Sequence, residues 1–322
     1  MILICSSSEE YSIFKICSWL KKLSIDYIVL DETSNIICKS FNINTESFVL
    51  EINGIEIKSE KITGVWYRKS SINLSFQNTT YTKTSNNLND IINHYTKIEI
   101  DVLSNFINTF LLTNKKTLGS PSNLYINKLT QLYIAKKVGL KIPDSNIISH
   151  YTDLDKNSIE NEFITKSIFD TFLFKDNDYM GSSITKKLKY KDIKKYKNVF
   201  QPSLFQRYID KQFEIRSFLL NNTFYSMAIF SQDNPKTSVD FRNYDDINPN
   251  RMVPYCLPKY IENKLLKFCN LLKIDTGSFD ILYSRDHEFY FLEVNPIGQF
   301  DFVSGLCNYK LDKKIAEHFI QK

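Results

Sequence analysis

Residues 278–300 read SFDILYSRDHEFYFLEVNPIGQF. Two runs rich in aromatic and branched residues flank the polar RDHE at 285–288, which is the pattern of a β-hairpin. A turn centred between Asp286 and His287, whether two or four residues long, sets Asp280 directly across from Glu293. Side chains alternate along a strand, so Asn295 shares the face of Glu293. Opposed carboxylates repel and weaken strand pairing. A hard cation with oxygen ligands offsets that repulsion, and Asp280, Glu293 and an Asn295 carbonyl suit magnesium better than a transition metal. The hairpin by itself also fits a solvated Asp280 and a Glu293 paired with a lysine, so both readings stay open at this point.

Working back from the hairpin, YIENKLLKFCNLLKI (260–274) has helical spacing behind Pro258, and a last helix is expected from about Lys310. FEIRSFLL (213–220) and TFYSMAIF (223–230) read as another hairpin around Asn221-Asn222, preceded by a strand, LFQRYID (204–210). The lysine-rich KKLKYKDIKKYK (186–197) reads as a solvated helix or loop face. EFITKSI (162–168) and residues 171–184 read as strands or a hairpin. NKLTQLYIAKKVGL (127–140) is an expected helix, with Gly139 where a C-terminal cap glycine belongs.

At the other end, residues 1–5, 9–23 and 25–31 read as strand, helix and strand, a β-α-β start that favours a parallel sheet. GVWYRK (64–69) adds a strand with Arg68 near its end, and 88–112 is long and periodic enough for a helix. The expected class is therefore α/β and α+β. Three regions are expected: an N-terminal α/β domain at 1–115, a central one at 116–200 and a C-terminal one at 201–322.

The 322 residues are 43% hydrophobic and 14% aromatic, a globular composition. Lys and Arg number 41 against 36 Asp and Glu, a surplus of five positive charges. That balance suits an anionic small ligand or an acidic peptide and falls short of a nucleic-acid-binding signature. Six separated cysteines without a C-x-x-C pair read as free thiols, and four histidines without i, i+4 pairing give no zinc site. No window approaches the ~20 apolar residues of a membrane helix, and the N-terminus lacks signal-peptide features. A soluble, cytoplasmic protein is expected.

Magnesium held as above calls for phosphates, and phosphates call for cations. There is no G-x-x-x-x-G-K-[ST] or G-x-G-x-x-G run among the eight glycines, which argues against P-loop and dinucleotide sites. The candidates are Lys128 at a helix start, Lys166 in a strand and Arg216 in a hairpin. Gly181-Ser-Ser183 offers backbone N–H groups as a short loop over phosphates.

Taken in order, Asn127-Lys128, Lys166, Gln206-Arg-Tyr-Ile209, Glu214-Ile-Arg216, Asp280 and Glu293-Val-Asn295-Pro296 resemble the ATP-grasp superfamily. Within it, VWYRK (65–69), NKLTQLYIAKKVGLKIPDS (127–145), FEIRSF (213–218), SQDNPKTSVDFR (231–242) and FYFLEVNPIGQF (289–300) resemble the graspetide synthetases, the microviridin-type peptide maturases, and their grasp-with-spasm subgroup. The resemblance implies an N-terminal α/β domain followed by two α+β domains that clamp ATP. It implies an ATP- and Mg2+-dependent ligase that joins Asp or Glu side chains of a ribosomal precursor peptide to Ser/Thr hydroxyls or Lys amines, giving macrocyclic esters or amides.

By position, the resemblance assigns Lys128 and Lys166 to ATP phosphates. It assigns the backbone of Gln206, Arg207, Tyr208 and Ile209 to adenine, Asp210 to the ribose, and Asp280, Glu293 and Asn295 to magnesium. Arg216 and Arg242 would neutralise phosphate charge, and Glu214 would orient Arg216 or accept a proton, unless it is a plain ion pair with Arg216. Arg207 departs from the acidic residue many relatives carry there, which weakens any side-chain role and leaves backbone contacts open. The resemblance further implies leader-peptide docking within 120–200 and a homodimer. The alternatives are a ligase that adds amino acids to a peptide carboxylate, and a catalytically silent peptide-binding protein.

Overall fold

The computed structural model describes residues 1–78, 86–153, 162–169, 173–176, 179–182, 185–195, 200–239, 241–242 and 245–320. Contacts divide the chain into two compact units, Met1–Leu124 with Lys310–Lys322, and Tyr125–Tyr309.

The first unit opens with β1 (Ile2–Cys5), α1 (Ile13–Lys22) and β2 (Tyr27–Leu30). A three-stranded antiparallel sheet follows, of β3 (Ile36–Asn42), β4 (Ser47–Ile52) and β5 (Ile55–Lys58). Then come β6 (Gly64–Tyr67), the long α2 (Asn86–Asn114) and β7 (Lys116–Leu118). The main sheet runs β2-β1-β6-β7 and all its pairs are parallel. Every residue of β1 and β6 is buried, as expected for central parallel strands covered on both faces. The β-α-β start, the 64–69 strand and the long helix therefore stand as expected. The β3–β5 sheet is an addition, and its last turn is Asn53-Gly54 with both residues at positive φ.

The second unit begins with α3 (Lys128–Lys137), β8 (Ser145–Ile148), β9 (Glu162–Lys166), and a hairpin of β10 (Leu173–Asp176) with β11 (Tyr179–Ser182). β12 (Lys186–Lys189), the short α4 (Tyr190–Ile193) and β13 (Ser203–Arg207) follow. β8, β9, β12 and β13 form an antiparallel sheet in the order β12-β9-β13-β8. The expected helix or loop face at 186–197 is thus corrected: its first four residues are a strand. Lysines point outward while Leu188 packs on the small core of Ile148, Phe163, Ile193 and Phe205, so one apolar residue suffices to hold the strand. Residues 196 and 197 of that run lie outside the described residues.

β14 (Lys211–Leu220), β15 (Thr223–Phe230), β16 (Arg251–Tyr255), α5 (Lys259–Leu272), β17 (Thr276–Ser284), β18 (Phe289–Asn295) and α6 (Asp301–Leu306) complete this unit. Five strands form an antiparallel sheet in the order β16-β15-β14-β17-β18. The turn between β14 and β15 is Asn221-Asn222, both at positive φ, as a tight two-residue hairpin requires. One face of the sheet packs Ile215, Leu219, Phe279, Ile281, Phe291 and Val294 against Leu265 and Phe268 of α5. The other face carries the polar residues described below.

The last helix, α7 (Leu311–His318), belongs to the first unit and not to the 201–322 region in which the sequence placed it. Trp19 Nε1 donates to Asp312 at 2.7 Å, and His318 Nε2 lies 3.1 Å from the Thr117 carbonyl. Among the described residues no helix is long and apolar enough to cross a membrane.

Candidate active site

The polar face of the five-stranded sheet carries a lateral row of charges. Arg216 on β14 pairs across to Asp280 on β17, and Asp280 pairs across to Glu293 on β18. The Arg216 guanidinium donates to the Asp280 carboxylate in a mostly buried ion pair. Glu293 Oε2 has Lys128 Nζ at 3.4 Å and Lys166 Nζ at 3.7 Å. Five side chains singled out from sequence, from four strands and one helix, thus meet on one surface of the second unit.

The facing pair holds, but its geometric reason is corrected. The turn is Arg285-Asp286-His287, closed by the Ser284 N–H to the Glu288 carbonyl, with His287 at φ 63°. From it, pairing runs Tyr283–Phe289, Leu282–Tyr290 and Ile281–Phe291, and then shifts by one residue before Asp280–Glu293. A β-bulge at Leu292 supplies the shift. Bulges are common next to active sites because they re-aim a side chain.

Lys128 owes its place to the start of α3. Asn127 accepts from the Leu129 and Thr130 N–H groups, capping the helix one residue before Lys128. One turn further on, Gln131 is 2% exposed. Its amide donates to the Ile126 and Val294 carbonyls, both at 3.0 Å, and accepts from the Val294 N–H at 2.7 Å. β18 is an edge strand, and Gln131 serves it as a neighbouring strand would, between Glu293 and Asn295. Sequence reasoning missed Gln131; the signal was a polar residue beside Leu132 and Ala135 on the buried face of α3.

Electrostatics follow from this crowding. Burial alone would push the Glu293 carboxyl up, but Lys166, Lys128 and Arg242 outweigh it and hold it below the usual range. Burial lowers Lys166, with Glu293 opposing and Lys128 adding to the shift. Arg242 is exposed, yet its charge acts on both groups; Asp240 in the same stretch lies outside the described residues. Asn295 is exposed, with Oδ1 accepting from the Ile297 N–H at 3.1 Å. Gly298 keeps this turn tight: a Cβ there would lie 2.7 Å from Ser278 Cβ and 2.9 Å from the Asn295 carbonyl.

Glu214 has a different partner from the expected one. Lys211 Nζ reaches it at 2.8 Å and Ser231 Oγ donates at 3.0 Å, while Arg216 is engaged by Asp280. Burial pushes the Glu214 carboxyl up, with Lys211 pulling it back, and the net is above the usual range. Lys211 Nζ also donates to the Val239 carbonyl at 3.1 Å. Lys211 and Glu214 would fall on opposite faces of a regular strand. An irregularity between Lys211 and Phe213 brings them together, which is why spacing did not reveal the pair.

The residues assigned to adenine are placed as follows. Gln206 is 2% exposed and its side chain donates to Ser145 Oγ. β13 lies between β8 and β9, and the N–H groups of Arg207 and Tyr208 donate to the Asp144 and Glu162 carbonyls. An adenine contact through either of these N–H groups would have to replace a sheet hydrogen bond. Lys187 Nζ sits 3.8 Å over the Tyr208 ring, and Asp210 holds Arg285 at 3.2 Å. Gly181 is not in a loop: it lies in β11, paired with Phe174, and Ser183 lies outside the described residues.

Among the described residues no three His, Cys, Asp or Glu side chains converge, so a metal here would be held by two carboxylates and an amide oxygen, completed by water or ligand oxygens. That donor set suits Mg2+. Two buried polar atoms bear on the fit. Arg216 Nε makes no hydrogen bond among the described residues, and Glu293 Oε2 has only its longer contacts to the Lys128 and Lys166 ammoniums. A cation carrying anionic ligands would satisfy both together.

No family profile and no curated protein matches the sequence. Solved structures do. A RiPP-associated ATP-grasp ligase of Chryseobacterium gregarium, in complex with ADP and a leader and core peptide, matches at TM-score 0.77 and 22% identity over 99% of this chain and 94% of that one. The macrocyclase MdnC of Microcystis aeruginosa, bound with the precursor peptide MdnA, matches at 0.74 and 20% over 99% of both chains. The macrocyclase MdnB of the same organism matches at 0.70 and 19%, over 100% of this chain and 99% of that one. At such identities the likeness is one of fold. The chain has the ATP-grasp fold along its whole length.

Proposed function

We propose that this chain is an ATP- and Mg2+-dependent ligase acting on a ribosomal precursor peptide. It converts Asp or Glu side chains of the peptide to acyl phosphates and condenses them with Ser/Thr hydroxyls or Lys amines, closing ester or amide rings. The observation that carries this reading is the meeting of Lys128, Lys166 and Arg216 with Asp280 and Glu293. Support comes from the solved structures matched in fold, described as ligases and macrocyclases with leader, core or precursor peptides.

In this reading Asp280, Glu293 and Asn295 hold the metal, which when bound supplies positive charge to phosphate oxygens. Lys128 and Lys166 leave Glu293 and hold phosphates. Arg216 has one face toward Asp280 and a spare Nε–H, and it neutralises the charge that develops as a peptide carboxylate oxygen attacks the terminal phosphorus and ADP leaves. Phosphoryl transfer asks mainly for such positioning and electrostatic stabilisation. The hydroxyl or amine then attacks the acyl carbon, Arg216 and Arg242 stabilise the tetrahedral oxyanion, and its collapse expels phosphate, which carries off the nucleophile's proton. Glu214, set by Lys211 and Ser231, positions the Arg216 strand. Adenine is held near Tyr208 and Ile209 with the ribose toward Asp210, and Gly181 lies in the hairpin over the phosphates. The leader docks within 120–200, and the protein works as a homodimer.

The test is an intact mass after incubation with ATP, Mg2+ and an acidic, hydroxyl-rich precursor peptide. Each ring closed within one chain removes one water, a loss of ~18 Da. A gain of an amino-acid mass would replace this reading with an addition ligase, and background ATP hydrolysis with every acidic peptide would replace it with a silent binder.

A further inference from the structure

The main sheet of the first unit runs β2-β1-β6-β7 with every pair parallel. From β1 the chain passes through α1 to β2 on one side, while β6 lies on the other. The connections part at the carboxyl ends of β1 and β6, and open parallel sheets take ligands at such a point. There the Ser6 N–H donates to the Leu30 carbonyl of β2 at 2.8 Å. The N–H groups of Arg68 and Lys69 both donate to the Cys5 carbonyl, at 2.8 and 3.1 Å. Two successive cations are thus fixed just past β6. The register Cys5–Tyr67, continued by one residue, sets Ser6 beside Arg68 on the same face.

A side chain from the loop between β1 and α1 fills this crevice. Glu10 is 6% exposed, with Oε2 3.4 Å from Arg68 Nη2 and 2.6 Å from Lys69 Nζ. Its Oε1 accepts from the Ser12 N–H at 3.1 Å and from the Ser12 hydroxyl. One polar group is left over. Ser6 is 1% exposed, and its Oγ makes no hydrogen bond among the described residues. A buried hydroxyl costs free energy until it finds a partner. This one stands beside two cations that share a single carboxylate.

We infer that the crevice is a carboxylate site, where an acidic side chain of the peptide substrate replaces Glu10 on Lys69 and Arg68 and accepts from the Ser6 hydroxyl. The inference rests on the proposed function and adds a place on the first unit where the peptide is held. Glu10 lies on the loop ahead of α1, so it leaves the cations without unwinding a helical turn. Lys69, with a third of its side chain exposed, opens the crevice to solvent. Three features favour a peptide carboxylate over a phosphate. The resident group is itself a carboxylate, its two oxygens parted between Ser12 and the cations. The loop from Ser6 to Ser12 holds no glycine, so it lacks the close backbone approach that phosphate-binding turns at this position use. At the start of α1, Tyr11 and Phe14 are 76% and 60% exposed with ring centroids 6.1 Å apart. That pair gives an apolar footing to residues flanking an acidic one and contributes nothing to an inorganic ion.

The experiment is zero-length carbodiimide coupling of the full chain, which joins a lysine amine to a neighbouring carboxyl with loss of one water. Digestion and mass mapping locate the amides. Alone, the chain is expected to give a Lys69–Glu10 amide. As a synthetic peptide rich in Glu, Ser and Thr is titrated in, that amide is expected to decline and a Lys69–peptide amide to replace it. The same peptide with Gln for Glu is expected to change neither. Measured by fluorescence anisotropy without ATP, Lys69→Gln is expected to weaken binding of the acidic peptide roughly tenfold, in a chain that still melts cooperatively. Lys69→Arg is expected to restore most of it. A Lys69–Glu10 amide that persists at every peptide concentration, or binding indifferent to Lys69→Gln, overturns the site. Inorganic phosphate that displaces Glu10 where the peptide does not overturns the carboxylate in favour of phosphate. Rings closed on a peptide that leaves the Lys69–Glu10 amide untouched sink this site alone and leave the proposed function standing. A Lys69–peptide amide without ring closure does the reverse.

Discussion

Asp280 faces Glu293 across β17 and β18 only because Leu292 is an extra residue in β18. Continued without the bulge, the register of the hairpin would set Leu292 opposite Asp280 and carry Glu293 away from Arg216's row. With the bulge, Val294 still enters the core at 3% exposure, so the strand keeps its apolar side while its polar side is re-aimed. The carboxylates, brought together at an electrostatic cost, are neutralised from outside the pair: Arg216 takes Asp280, and Lys128 and Lys166 take Glu293. The groups proposed to hold metal and phosphate thus occupy one another.

That mutual occupation predicts an inverse effect for Glu293→Gln. Without the carboxylate, Lys128 and Lys166 no longer have to leave a counterion before meeting a phosphate. ATP affinity measured by calorimetry without Mg2+ is expected to rise several-fold, while Mg2+-dependent turnover falls by roughly 10²- to 10³-fold, the range for losing a main electrostatic group. Weaker Mg2+-free binding in the variant would show that the lysines are not held back by Glu293.

Gln131 gives a second prediction, since it never touches a ligand in the proposed site. Gln131→Leu leaves the N–H and carbonyl of Val294 unpaired in a buried place, and each such loss costs about 1–3 kcal/mol. Chemical denaturation is expected to show destabilisation of that order. The Mg2+ concentration for half-maximal rate is expected to rise more than the ATP KM, because the backbone between Glu293 and Asn295 loses its fixed position. Gln131→Glu keeps the acceptor for the Val294 N–H and is expected to recover part of the loss. Equal changes in both constants would mark Gln131 as a packing residue only.

Much of the fold was legible because strands and helices here follow their periods. β1, α1 and β2, the Asn221-Asn222 hairpin and α3 through Gly139 all read directly. Asp280 opposite Glu293 was legible for an inexact reason: the turn centre lies half a residue from its expected place, and the bulge at Leu292 compensates. Neither displacement leaves a mark in composition. The Asn53-Gly54 turn and the alternation of Phe48, Leu50 and Ile52 in β4 did carry a hairpin signal, so β3–β5 was legible in principle. The lysine-rich strand β12 hid because Leu188 is its one apolar residue. The Lys211–Glu214 pair was invisible to any regular-strand rule, since an irregular backbone brings it together.

The first unit supplies a pH prediction. Burial would raise the Glu10 carboxyl, but Arg68, Lys69 at 2.6 Å and the Ser12 N–H and hydroxyl outweigh it, and the net lies below the ordinary value of 4.5. A carboxyl lowered in the folded state contributes stability that is present above the unfolded value and is lost as pH falls through the folded one. The melting temperature is therefore expected to drop below pH 4.5 more steeply in the wild type than in Glu10→Gln. At neutral pH the variant is expected to be less stable by roughly 1–3 kcal/mol. Parallel acid profiles for the two chains would remove Glu10 from the account.

Lys211 and Glu214 decide between two roles for the buried carboxylate. Lys211 is 2% exposed and ties Glu214 on β14 to the Val239 carbonyl, three residues before Arg242. Lys211→Met strands a carboxylate whose ionised form burial already disfavours, and breaking a buried pair from one side costs about 3–5 kcal/mol. Glu214→Gln is expected to cost less, because an amide still accepts from Ser231. The double variant is expected to be more stable than the two losses predict, with a coupling of about 1–3 kcal/mol between contacting groups. Turnover separates structure from chemistry. A Glu214 that only positions Arg216 and the Val239 segment should lose as much rate with Lys211→Met as with Glu214→Gln, and the double variant should lose little more. A Glu214 that takes the proton from the attacking hydroxyl or amine would fail far more severely as Gln than through loss of Lys211, and the acid limb of the pH–rate profile would vanish with it.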